Sequence, residues 1–327
     1  MISIILVTYN RAERLKLSIQ DILNQAFKSF ELIICDDCST DSTADVCISF
    51  TKRDNRIRYY RHSSNMRMPA NCNFGIKKAV YEYIAILHDG DRFSPDLIQK
   101  WHNALIENPS VGFVFNSIGE TDENENIVRR HVDFKEGLIK KEHLLKQVYF
   151  RRWRFDSPVY GEAMVRKKLI EEHGFLKSEY SFYADVDLWM DLLHFNDAYY
   201  CVDTLITGPI KAIQPRLFDD NTIKTFLYMF KIHQKHRKKA FKNKPLRYLA
   251  ELILFYIYAF FSMNYSLLLV VKNFTFTEFL GIGKLLKENL LFFFHWSVIL
   301  LLYPILFLAL KCFDLIKYKF LKRQKPG

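Results

Sequence analysis

Cysteine is scarce in this sequence. Six residues, at 35, 38, 47, 72, 201 and 312, are scattered through 327. That fits a reducing compartment better than a disulfide framework. Only Cys35 and Cys38 stand in C-x-x-C spacing, within ICDDCSTDST. No second pair completes a tetrahedral zinc site, and no helix opens directly at Cys35, so the zinc and redox readings are set aside. Glycine is missing from VTYNRAER, the stretch from Val7 to Arg14. A nucleotidyltransferase that makes sugar nucleotides needs a glycine-rich basic loop there, and this class is disfavoured too. Nor is there a signal-peptide core, because the apolar run Ile2–Val7 is too short for one.

Charge is missing where it matters most. Leu252 to Val271 and Asn289 to Leu310 carry no charged residue. Each is about as long as the roughly 20 residues a helix needs to cross a bilayer. Lys231–Arg247 holds eight Lys/Arg and no acid, and Lys311–Gly327 six Lys/Arg and one acid. Together they contribute +13 to a net charge of +11, which leaves −2 for everything else. Basicity therefore belongs to the rear. Flanking the two apolar stretches, it favours a hairpin with both ends in the cytoplasm, helped by anionic lipid. Interleaved aromatics such as Phe255 and Tyr256 fit lipid or core better than base stacking, so no nucleic-acid partner is expected.

What is present at the front is alternation. Ile2–Val7, Phe30–Cys35, Ile57–Tyr60, Tyr83–Leu87 and Val111–Phe115 read as strands. Between them, Ala12–Leu23, Ser42–Phe50, Ala70–Val80 and Pro95–Glu107 read as helices. Thr40 or Asp41 suits the N-cap of the second helix, and Ser94-Pro95 would open the fourth. This pattern implies an α/β fold, a mostly parallel sheet with helices on both faces. Ligands in such sheets sit at the carboxyl ends of the strands. Three polar clusters directly follow strands there: Thr8-Tyr9-Asn10-Arg11, Asp36-Asp37 and His88-Asp89-Gly90-Asp91. Each alone is ordinary turn chemistry; three in register along one edge point to a binding site.

Asp89 and Asp91 follow a buried strand at i and i+2. On an extended chain their carboxylates would share one side, about 6–7 Å apart. A divalent cation would relieve their repulsion, and oxygen ligands suit Mg²⁺ or Mn²⁺, which take further ligands from substrate phosphates.

Taken together, ISIILVTYNR, FELIICDDCSTDST, NMRMPANCNFGI, EYIAILHDGDRFSPD and, later, YADVDLWMDLL resemble the family 2 glycosyltransferases with a GT-A fold. The resemblance implies an inverting transfer of sugar from a nucleotide-diphosphate donor, UDP in the first instance, to a hydroxyl of a glycan or lipid-linked acceptor. It places Thr8, Asn10 and Arg11 over the nucleotide. Asp37, with Asp36 beside it, matches the carboxylate that meets a uridine base. Asn65, Asn71 and Asn73 fall where the family lines the donor pocket. Asp89 and Asp91 match the metal-binding D-x-D, Asp89 also serving the donor, and Asp185 matches the general base. Asp187 is expected to brace its helix. Three positions depart from the pattern: Arg67 replaces a common Gly, Cys72 an Arg or Trp, and Ala184 an acidic neighbour of the base.

The expected organisation is a GT-A domain over 1–220, divided into a donor half (1–118) and an acceptor half (119–220). A basic helical linker follows over 221–250, then a membrane-associated region over 251–327. The setting expected by analogy is surface-polysaccharide assembly at the cytoplasmic face of the cell membrane. Arg151, Arg152, Trp153 and Arg154 could meet a lipid pyrophosphate or form a solvated face. Gln147 with Arg152-Trp153 has the wrong spacing for a processive synthase. A processive polysaccharide synthase and a non-catalytic membrane adaptor remain the competing readings.

Overall fold

A computed structural model describes residues 1–150, 159, 161–209, 228, 231–232 and 235–236, with backbone alone over 146–150. The chain divides into two units, Met1–Lys242 and Asn243–Gly327, and every described residue lies in the first. Both apolar stretches and the Arg151–Arg154 cluster lie outside the described residues. Among the described residues, no helix is long and apolar enough to cross a membrane.

The alternation read from the sequence is built as expected through the first 120 residues. Strand β1 (Ile2–Thr8) leads to α1 (Ala12–Leu23), β2 (Phe30–Asp36), α2 (Thr43–Thr51), β3 (Ile57–Arg61), α3 (Met68–Lys78) and β4 (Tyr83–His88). A short β5 (Arg92–Phe93) precedes α4 (Leu97–Glu107) and β6 (Val111–Thr121). Strands β1 to β4 are mutually parallel, in the order β3-β2-β1-β4.

Period-two burial explains how the sheet is covered on both sides. Ile2, Ile4 and Leu6 of β1 join Leu32, Ile34, Ala85 and Leu87 in one cluster with Leu15 and Ile19 of α1, Cys47 of α2 and Trp101 of α4. The alternate residues face α3, where Gly75 lets the helix backbone settle against Ile5 and Cys35. Each aliphatic side chain removed from water contributes roughly 1.5–3 kcal/mol. This core, rather than the loops above it, holds the strand ends still.

Two helix starts differ from expectation. In α4, Pro95 stays in the preceding turn and Asp96 takes the cap position, with Leu97 N–H donating to the Ser94 carbonyl. At α2 the cap position falls to Ser42. Asp41 instead accepts from the N–H groups of Thr43 (3.0 Å) and Ala12 (3.2 Å), tying the starts of α1 and α2 together.

Beyond β6 the sheet becomes mixed. Strands β7 (Ile127–His131) and β8 (Gly137–Ile139) lead to α5 (Lys141–Phe150), β9 (Ala163–Arg166), α6 (Lys167–His173), a 3₁₀ turn (Ser178–Tyr183), α7 (Ala184–Leu192) and β10 (Asp197–Pro209). Strand β9 inserts antiparallel between β4 and β6, and β10 pairs parallel to β6. The sheet is thus α/β and mostly parallel in its first half, with antiparallel strands added on the far side.

Candidate active site

Register brings the predicted clusters to one edge. Thr8 of β1 stands opposite Asp36 of β2, and Val7 opposite His88 of β4. The residues that follow, Asp37 and Asp89, therefore leave the sheet at the same edge, on either side of β1.

The loop after β1 is tied to both neighbours. The Thr8 hydroxyl donates to Asp89 Oδ2 at 2.6 Å, and Tyr9 N–H reaches the same oxygen at 3.3 Å. Asn10, at φ 52, accepts from Thr40 N–H (2.7 Å) and donates its own N–H to Ser39 Oγ (2.9 Å). The half-exposed Arg11 side chain places Nη1 3.1 Å from the Asp89 carbonyl and 3.5 Å from its Oδ1. Burial pushes the Asp89 carboxyl above the usual carboxylate range, while Thr8 and Arg11 pull it back.

The two neighbouring aspartates after β2 differ. Asp36 is wholly buried; its oxygens accept from Ser39 N–H (2.8 Å) and Tyr59 OH (2.7 Å), with Arg61 at 3.7 Å. Asp37 uses one oxygen, Oδ1, to hold Met66 N–H at 2.6 Å. Asp36 is thus a brace, and Asp37 is the one aimed along the 62–67 loop. Between the cysteines, then, lie one bracing and one loop-facing carboxylate. Cys35 itself is buried, and burial pushes its thiol up to about 12, which makes it inert.

The asparagines act mainly as clamps. Asn65 accepts from Arg67 N–H (3.0 Å). Asn71 is buried, donates to the Cys35 carbonyl (2.8 Å) and pairs with His62 (3.0 Å). Asn73 grips Leu176 through both its backbone groups, at 2.8 and 3.0 Å. Arg67 lies at φ 68, a left-handed conformation that glycine adopts without strain.

The acidic pair does not run along an extended chain. Gly90 between the two aspartates takes φ 100. Asp89 faces the β1 loop, whereas Asp91 gathers with His88 and Glu162. These three each offer a ligand atom, all within 4.8 Å of one another. One imidazole nitrogen and two carboxylate oxygens at that spread fit one side of a divalent ion.

Strand β9 explains why Glu162 arrives here. Ala163 pairs with Ile86 on the antiparallel β4 ladder, so Glu162 and Gly161 reach the level of Leu87 and His88. Glu162 is buried and accepts the His88 N–H at 3.1 Å. A Cβ placed on Gly161 (φ 89) would lie 2.7 Å from His88 Cε1 and 3.1 Å from Asp185 Oδ2. Asp185, at the start of α7, thereby shares this corner with His88. Sequence reasoning missed Gly161 and Glu162; a lone Glu just ahead of the apolar run AMVR was the available signal.

Asp187 is a brace, as expected. It is buried with Asp191, and both accept from Lys177 (2.8 and 2.9 Å) and Lys235 (2.6 Å each), while His236 Nε2 reaches Asp187 at 2.8 Å. Asp187, Asp191 and His236 also lie close enough to ligate a metal. Two ammonium groups already occupy their oxygens, so this cluster is a charge-paired core. Although burial alone would raise Asp187, hydrogen bonds from His236 and the lysines hold it below the usual range.

A family model described as "Glycosyl transferase family 2" matches residues 3–174, more than half the chain. The chain belongs to glycosyl transferase family 2. The chain is 28% identical over 192 residues to the GalNAc(5)-diNAcBac-PP-undecaprenol beta-1,3-glucosyltransferase of Campylobacter jejuni, covering 58% of this chain and 59% of that protein. It is 27% identical over 192 residues to an uncharacterised glycosyltransferase of Methanocaldococcus jannaschii, covering 58% and 63%. The matches thus span less than two thirds of those relatives' lengths. Among solved structures, S. aureus TarS 1–349 in complex with UDP superposes with a TM-score of 0.58 at 16% identity, covering 80% of this chain and 70% of that one. The chain therefore shares the TarS fold, which agrees with the expected GT-A architecture.

Proposed function

We propose that this glycosyltransferase moves a sugar from a UDP-linked donor, with inversion, to a hydroxyl of a glycan or lipid-linked glycan. The setting would be surface-polysaccharide assembly at the cytoplasmic membrane face. The observation that carries the reading is the convergence of Asp37, Asp89 and Asp91 at one sheet edge, with Asp185 adjoining it across Gly161. The C. jejuni relative, named for a lipid-pyrophosphate-linked glycan, supports the acceptor class. TarS, solved with UDP, supports the nucleotide.

Each residue then has a task. Asp37, anchored by Met66 N–H, meets the uracil edge. Thr8, Asn10 and Arg11 form the loop over the nucleotide, and Arg11 offers a cation to the diphosphate. A divalent cation bound beside Asp91 would neutralise charge growing on the leaving diphosphate. Asp185 takes the acceptor proton from the opposite side of the sugar. The test is a panel of UDP-, GDP- and dTDP-sugars with Mn²⁺, with and without chelator. Turnover of a UDP-sugar alone, abolished by chelator, is expected; turnover indifferent to chelator, or confined to another nucleotide, overturns the reading.

A further inference from the structure

Ser18 is wholly buried on the side of α1 that also carries Leu15, Ile19 and Ile22, a polar residue on an otherwise apolar face. Buried hydroxyls are kept where they are bonded, and this one is bonded to the turn after β4. Gly90 N–H donates to Ser18 Oγ at 3.1 Å, and Oγ donates to the Asp91 carbonyl at 2.9 Å. The Arg14 carbonyl, at 3.2 Å, is the farther acceptor for the same proton. We propose that Ser18 is a positioning residue for sugar transfer: its hydroxyl staples the turn that presents Asp91, and Asp21 fixes the segment that leaves it. The assignment rests on the functional reading above for the use of that turn, though not for what shapes it.

Three observations carry it. First, the staple closes on backbone in a rarely populated conformation, since Gly90 lies at φ 100. One side chain holds the turn on both sides of that residue. Second, the contact continues along α1. Asp21, three residues on, accepts from Arg92 Nε (2.7 Å), Arg92 Nη2 (3.1 Å) and Phe93 N–H (3.1 Å). The other guanidinium nitrogen of Arg92 reaches both Glu125 oxygens, at 2.7 and 2.8 Å, and so ties the same segment to the β6–β7 connection. Gln25, just past the helix end, donates to the Ser94 carbonyl (2.7 Å) and accepts the Ile98 N–H (3.0 Å). Three polar side chains of one segment thus bind the stretch from Gly90 to Ile98 in order. Third, the turn has little slack. A Cβ on Gly90 would stand 3.2 Å from both Arg14 Cδ and Arg11 Nη1, and one on Gly208 of β10 would collide with Asp91 Oδ1.

A hydroxyl that only held the scaffold together would cost stability when lost. One that places Asp91 would cost turnover beyond that. Gln25 supplies the comparison, because it makes the same kind of bonds to the same segment but away from the turn.

The experiment compares full-length wild type with Ser18→Ala, Asp21→Asn and Gln25→Met. Melting temperature, hydrogen–deuterium exchange without metal or nucleotide, and turnover of a panel of UDP-sugars over a Mn²⁺ titration are measured. Ser18→Ala should speed exchange in peptides covering Gly90, lower kcat about 10- to 100-fold and raise the half-saturating Mn²⁺ concentration about 10-fold. Asp21→Asn should move the same quantities in the same direction, by less. Gln25→Met should lower the melting temperature at least as far as Ser18→Ala, with kcat and exchange at Gly90 near wild type. Unchanged exchange at Gly90 and unchanged kcat in Ser18→Ala overturn the assignment. So does a loss of kcat that follows melting temperature alike in the Ser18 and Gln25 variants, which is the signature of scaffolding. If Ser18→Ala does not fold, Asp21→Asn decides by the same criteria. Chelator-dependent turnover with kcat untouched in both turn variants sinks this assignment and leaves the functional reading standing. Turnover indifferent to chelator, with kcat lost only in the Ser18 and Asp21 variants, does the reverse.

Discussion

The side-chain amide of Asn73 closes on Leu176 from both sides, donating to its carbonyl at 2.8 Å and accepting its N–H at 3.0 Å. One residue of α3 thereby fixes the segment that leads through the 3₁₀ turn to Asp185. Losing it strands two backbone groups, each worth about 1–3 kcal/mol if left unsatisfied. Asn73→Ala should therefore lower the melting temperature and reduce kcat more than it raises KM for the donor. A donor-pocket residue would show the opposite split in steady-state kinetics.

Asp185→Asn keeps the shape of the side chain and removes its basicity. The loss in kcat should be about 10²- to 10⁴-fold, the range for a positioned general base, with circular dichroism and melting temperature unchanged. Wild-type turnover with a competent acceptor would show that the base lies elsewhere.

Asp36 and Asp37 should separate cleanly. Asp36→Ala leaves the half-buried Tyr59 hydroxyl and the Ser39 N–H without their acceptor and should cost about 1–3 kcal/mol in denaturant unfolding. Asp37→Asn retains an oxygen for Met66 N–H, so stability should hold while UDP affinity, measured by calorimetry, falls.

Gly161 sits at φ 89 with no room for a methyl group beside His88. Gly161→Ala should cost at least about 1–2 kcal/mol for the left-handed backbone alone. Activity should fall further than stability explains, because both His88 and Asp185 border the added carbon. Gly174, also at positive φ but with nothing within 4 Å, is the control: Gly174→Ala should pay only the backbone term.

Stability should fall with acid. Burial holds the His236 imidazole below its ordinary range, against the pull of Asp187. The unfolded chain binds that proton near its usual value of about 6.5, so the unfolded state takes up more protons as pH drops below it. The contribution is therefore present above about pH 6.5 and is lost on acidification towards the folded value. Asp187, also lowered, adds a second loss at more acid pH. Melting curves between pH 8 and 5 check this, and His236→Gln should flatten the upper part of the dependence.

Much of this was legible, and the reason is geometric. In parallel strands the polar residues that follow each apolar run share an edge, so Thr8, Asp37 and Asp89 could be grouped from order alone. Glu162 could not. It precedes a strand, and only because β9 runs antiparallel does that start meet the end of β4. Strand β10 was hidden for another reason: its register shifts against β6 between Cys201 and Ile206 break the alternation that reveals a strand. The same-side spacing read for the D-G-D pair assumed an extended Gly90, whereas Gly90 lies at positive φ.

The cluster beneath α7 also determines where the first folded unit can stop. Lys235 and His236 reach back to Asp187 and Asp191 from beyond β10 in the chain. Cutting the chain before Lys235 would strip one of two ammonium groups from a pair of interior carboxylates, a deficit usually worth several kcal/mol. A fragment that keeps β1 to β10 yet ends short of Lys235 would thus carry an unbalanced negative charge directly under the helix that carries Asp185.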